Sequence, residues 1–200
     1  MNSYVSTNPA AKAKLNFTAK EFTFILLFVT ELDKFWAEEI AQALEKAKAA
    51  GRQDIADYLN LRASNDFLRS AAVKWLMREF AHLGEEFRLK GRQITLETNT
   101  SHSFVIGHST MVGSRLAFRC GLRGLTIEAG WTRTPEHGFM RGGGLAFARL
   151  SHYGFARKTR ELLLIKIDER PVWVIQEDEQ LRTPLFEDFF HEHFSFFLEL

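Results

Sequence analysis

The chain has a single cysteine in 200 residues, Cys120, so an internal disulfide is excluded. Such usage favours a reducing compartment. Long hydrophobic runs are lacking too. The most apolar stretch, Phe22 to Val29, is far too short to span a bilayer, precedes Glu31 and Asp33, and carries no small-residue cleavage pattern. A cytoplasmic protein without membrane contact is expected. Tyrosine is scarce, with 3 Tyr against 19 Phe. A phenyl ring has no polar handle, so most of these rings belong in a core or an interface. Internal repeats and low-complexity tracts are missing as well.

What remains is ordinary for a globular chain, with 46% hydrophobic and 26% charged residues, enough to bury a substantial core. The net charge of +1 hides a segregation. Residues 91–160 carry ten Lys or Arg against three Asp or Glu, and residues 161–200 carry three against ten. Opposite fields within one domain attract, so the acidic end is expected to fold back on the basic middle. A basic surface facing an external anion is the alternative.

Residues 1–16 read as a flexible tail, and 17–200 as one α+β domain. Its helical part covers 17–84. Thr18 and Glu21 fit a capping box that opens a helix over 19–50, which Gly51 stops. A second helix is expected over Asp54–Leu61, and a third capped by Ser64-Asn65 and ending at Gly84. The period then changes to two, over 91–177. Seven runs of strand patterning begin with Ile94–Leu96 and Phe104–His108, and end with Val172–Gln176. Thr183-Pro184, with acids close behind, reads as the start of a Phe-rich helix over 183–198. The expected fold is α+β: N-terminal helices packed on a curved antiparallel sheet of about seven strands, closed by that helix.

Chemistry concentrates between Gly124 and Phe155. Gly142 to Gly144 invites a phosphate cradle, but no GxxxxGK[ST] is present and strand patterning follows, so a bulge or sharp bend is the better reading. Arg149 alternates onto the face of Leu145 and Phe147, where a cation needs an acidic partner, Glu128 being one candidate, or an anionic ligand. Trp131, Phe104, Phe118, Phe147 and Phe194 are candidates to line an apolar pocket, with Arg133 or Arg149 at its rim. The candidate ligand-binding residues are therefore Trp131, Arg133, Arg141, Phe147, Arg149 and His152. Among the seven histidines, His191 and His193 point to different sides of a helix, and Glu187 with His191 makes only two ligands. No metal and no cofactor is expected.

The reading that fits best is a non-catalytic binding module for a small anionic or apolar ligand. A homodimer through the long N-terminal helix or the Phe-rich C-terminal helix is compatible with it. Two alternatives differ in class. One is nucleic-acid binding through the Arg-rich middle, where Arg115 and Arg119 share a strand face about 13 Å apart. The other is a small enzyme using His152 or His137 as acid/base with Arg133 or Arg141 as anion clamp. No GxSxG or comparable motif anchors catalysis, so the balance lies against it.

Overall fold

The structure, a computed structural model, describes residues 31–168, 170–176 and 182–199. The tail at 1–16, the Thr18–Glu21 capping box and the start of the first helix lie outside the described residues. Among the described residues, helices α1 (Glu31–Ala49) and α2 (Gln53–Leu89) come first. Seven strands follow: β1 (Thr95–Ile106), β2 (Ser109–Cys120), β3 (Arg123–Trp131), β4 (Ala146–His152), β5 (Arg160–Ile167), β6 (Arg170–Gln176) and β7 (Arg182–Pro184). Helix α3 (Glu187–Leu198) closes the order. Each strand pairs antiparallel with the next, so the sheet is an uninterrupted meander from β1 to β7. The α+β architecture is the expected one.

Two expected helices are one. The helix α2 runs for 37 residues, about 55 Å at 1.5 Å per residue, through both Leu61 and Ser64-Asn65. Neither Pro nor Gly stands between Arg52 and Leu83. A mid-helix Ser or Asn costs only about half a kcal/mol, less than the burial of Leu76 and Phe80 returns. Gly84 does not stop the helix; it makes room for it. A Cβ there would lie 2.5 Å from Cε1 of Phe118 on β2. The chain leaves the helix at Lys90, whose N–H donates to the carbonyl of Glu86.

The strand count agrees with expectation for a different reason. The first two patterned runs lie mainly in the one long strand β1, whose pairing with β2 is irregular between Asn99 and His102. The seventh strand comes from Thr183-Pro184, which is therefore not a helix start. Pro184 pairs with Val174 on an edge strand, where a missing N–H breaks no ladder. The N-cap of α3 is Phe186, with no side-chain bond, although Glu187 and Asp188 do occupy the first turn.

The sheet has two unlike faces. On one, Phe118, Leu125, Ile127, Leu150 and Leu162 are buried against Leu76 and Phe80 of α2 and Phe194 and Phe197 of α3. Edge-to-face rings lock this layer: Phe80 and Phe190 are 4.9 Å apart between centroids, and Phe118 and Phe194 are 5.1 Å apart. The Trp173 indole N–H donates to the Ala72 carbonyl at 3.1 Å, so β6 is tied to the middle of α2. Phe189, Phe190, Phe194 and Phe197 of α3 are thus buried within the chain and close its core.

The other face carries a smaller cluster of Phe104, Met111, Phe147, Leu163 and Val174. Met140, in the connection between β3 and β4, packs against it. That connection is pinned twice. The Ser109 hydroxyl donates to the Phe139 carbonyl at 3.0 Å, and Arg182 Nη2 donates to the Gly142 carbonyl at 2.9 Å. Gly142 and Gly143, at φ +63° and +70°, make a left-handed turn in it. Deeper in the sheet Gly113 and Gly130 stand opposite each other. A Cβ on Gly113 would collide with the Ala129 carbonyl oxygen, and one on Gly130 would lie 2.7 Å from the Val112 carbonyl. The backbones of β2 and β3 pass too closely there for any side chain.

Candidate binding surface

The alternation of β4 sends Phe147 and Arg149 to the face away from α2 and α3. Leu145, just before the strand, instead joins the helix-side core. Arg149 meets a carboxylate of its own chain. Its Nε and Nη2 donate to Glu128 Oε2 at 3.1 and 2.7 Å, and its Nη1 donates to the Val105 carbonyl at 3.2 Å. The other Glu128 oxygen lies 2.6 Å from His102 Nε2. Burial pushes the Glu128 carboxyl up. The hydrogen bonds from His102 and Arg149 outweigh it and hold the group below the ordinary carboxylate value. Glu128 and Arg149 face each other in the register of β3 and β4, flanked by Arg115 and Glu161 on the neighbouring strands.

The other candidates scatter. Phe147 is buried beside Leu163. Trp131 faces the helices, with the Arg133 guanidinium 3.8 Å from its ring centroid, a cation–π contact. The Arg133 backbone N–H donates to His137 Nδ1 at 3.3 Å. The backbone at Arg141 joins the turn with Gly142 and Gly143, while its side chain lies outside the described residues. His152 is buried near the opposite end of β3, paired with Leu125, about 20 Å along the strand from Trp131 at 3.3 Å per residue. Nor do the five aromatics line one pocket. Trp131, Phe118 and Phe194 belong to the helix-side core, and Phe104 and Phe147 to the opposite face. His137 and His152 do not meet in a cleft.

His152 has a partner that strand patterning cannot reveal. Its Nε2 lies 2.9 Å from Nδ1 of His193 on α3, with the Phe196 ring edge-on at 4.8 Å and Phe189 beside His193 at 4.5 Å. Burial, reinforced by Lys158, Arg123 and Arg160, lowers the His152 pKa to about 4. Burial again, with His152 itself next, lowers His193 to about 3. Near neutrality the pair is uncharged, one ring donating and the other accepting. It has no third ligand: among the described residues no cluster of three His, Cys, Asp or Glu is placed to hold a metal.

Among the described residues the acidic end pairs with the basic middle at two points. Arg123 pairs with Glu199 and also donates to the Phe196 carbonyl, which caps α3, while Lys158 Nζ stands 3.9 Å from Glu192. Arg88 is held by Glu85 at 2.6 and 2.8 Å. Arg92, Arg115 and Arg119 have no partner among the described residues. Arg88, Arg92 and Arg119 line one shallow open groove of about 660 Å³, with Gln93 and Thr95 at its side and Gly91 and Gly121 in its wall. Sequence reasoning missed this groove. The spacing of Arg115 and Arg119 pointed to their common face, but only the fold brings the end of α2 beside the end of β2.

Comparison of the chain with protein-family models, with curated proteins and with solved structures finds no match.

Proposed function

We propose that the protein is a non-catalytic binding module whose partner is an anion held by Arg92 and Arg119 in the groove they line with Arg88. The observation that carries this reading is the pair of exposed guanidinium groups, Arg92 and Arg119, without a counter-ion among the described residues and lining one groove. Guanidinium is weakly hydrated and forks onto carboxylate or phosphate, so two that are unpaired and share a groove favour an anionic guest. Arg149 is not part of this site, because Glu128 already neutralises it. The interior does not favour an enclosed apolar ligand: Phe80, Phe118, Phe194 and Phe197 are fully buried where such a pocket would be.

A cytoplasmic setting is part of the proposal and rests on the lone Cys120. No described helix is long and apolar enough to cross a membrane. A homodimer is not required by this reading, since the groove is built within one chain. The test is titration with inorganic polyphosphate at low salt, followed calorimetrically. Binding that weakens steeply as salt rises, and falls at least tenfold in Arg92→Glu, is expected. Equal heats for the parent protein and Arg92→Glu would remove the proposal.

A further inference from the structure

The groove does not stop at Arg119. In the register of the sheet, Arg119 faces Thr95 on β1 and Gly124 on β3. The next position across is Tyr153, whose N–H donates to the Gly124 carbonyl at 2.8 Å. A Cβ on Gly124 would lie 3.2 Å from the Tyr153 Cβ, so the glycine leaves a gap in the row beside the ring. Tyr153 is 79% exposed. One row inward come Ala117, itself buried, and the short Thr126 and Ser151, with Glu97 facing Ala117 from β1. Beyond them the row of Arg115, Glu128 and Arg149 rises again. A low floor is therefore bounded by an aromatic ring and Arg119 on one side and by Arg115 on the other.

This arrangement combines what a flat, charged polymer needs. Unpaired guanidinium groups serve its phosphates, an exposed ring serves its bases, and small residues let a planar group settle on the sheet. Acidic groups near the floor do not cancel this. Glu128 is neutralised by Arg149 and hydrogen-bonded to His102, while Glu97 lies on the edge strand β1 and Glu161 faces Arg149 from β5. An acidic protein segment would use the cations but has no use for the ring. Resting on the anion-binding reading above, we infer that the partner is a single-stranded nucleic acid, its backbone entering along Arg92 and Arg119 and a base stacked on Tyr153.

The experiment compares three probes by fluorescence anisotropy at low salt: labelled oligo-deoxythymidine, the same strand in a duplex with oligo-deoxyadenosine, and labelled polyglutamate. The single strand is expected to bind tightest. Tyr153→Ala is expected to weaken it about tenfold, Tyr153→Phe to restore it, and neither to change polyglutamate binding. Because this ring is exposed, the thermal midpoint of Tyr153→Ala stays that of the parent and folding does not confound the result. Arg115→Gln is expected to reduce the log–log salt slope by about 0.7. Unchanged single-strand affinity in Tyr153→Ala overturns the inference, as does tighter binding of the duplex. If polyglutamate binds as well as the single strand, and Arg92→Glu abolishes both, the partner is an acidic protein segment and only the anion groove survives. If none of the three binds, both readings fall.

Discussion

Each face of the sheet holds an ionisable side-chain cluster, and the two are handled in opposite ways. Beneath α3, His152 and His193 bond nitrogen to nitrogen and carry no charge near neutrality. On the other face Arg149 and Glu128 keep their charges, with His102 alongside. The difference follows from depth. The histidines are closed in by Phe189 and Phe196, where a net charge would lose its hydration with nothing to replace it. The Glu128 side chain is 14% exposed and that of Arg149 30%, so water reaches part of each group and their mutual bonds supply the rest. Deep beneath α3 the two histidines stay neutral, whereas on the more open opposite face Arg149 and Glu128 hold opposed charges.

Three measurements can break or sharpen this contrast. The largest effect is expected from emptying the helix side. Phe194→Ala removes a fully buried ring that touches Phe80, Phe118 and Phe197, and should cost about 3–5 kcal/mol in urea unfolding. A loss below about 1 kcal/mol would mean that α3 contributes little to the core.

Next comes acid. Both histidines have folded pKa values depressed below 6.5, so between about pH 6.5 and 4 the unfolded chain binds protons that the native pair refuses. Stability should therefore be complete above pH 6.5 and fall on acidification, by up to about 1.4 kcal/mol per pH unit for each histidine. Glu128, also depressed, contributes stability above its unfolded value that is lost only at lower pH, as the solution passes below the ordinary carboxylate range. The two faces thus separate along the pH axis. Denaturation midpoints at a series of pH values, for the parent and for His152→Leu with His193→Leu, test this. A parent curve as flat as that of the double variant would show that the pair does not govern the slope.

The smallest effects compare two carboxylates on the open face. Glu128→Gln should cost about 1–3 kcal/mol, because it leaves Arg149 half-buried without its charge partner, and Arg149→Met in the same chain should restore most of it. Glu161→Gln, beside Arg149 in register but exposed, should change stability by less than about 0.5 kcal/mol. Equal costs for the two would mean that register rather than burial sets the strength of this row.

The period-two alternation between Arg92 and Gln176 was legible because strand faces are a local property, and so was the demand of Arg149 for a carboxylate. Glu128 could be named because both residues sit on the same face of strands joined by a single connection. Other features depend on contacts that no window of sequence contains. Ser64-Asn65 resembled a cap because capping residues are also tolerated mid-helix when both flanks are packed. Thr183-Pro184 resembled a helix start because the same Pro suits an edge strand. His152 and His193 lie 41 positions apart and meet only once α3 docks. The groove needs α2 to run unbroken as far as Leu89, bringing Arg88 and Arg92 beside Arg119.

The docking of α3 has a consequence for synthesis. The sheet precedes α3 in the chain, so on the ribosome the strands carrying Phe118, Leu125, Ile127 and Leu150 emerge before Phe194 and Phe197 do. Among the described helices α2 alone shields the apolar sheet in that interval, whereas α2 and α3 both cover it in the finished protein, and transiently exposed apolar surface of this kind promotes aggregation.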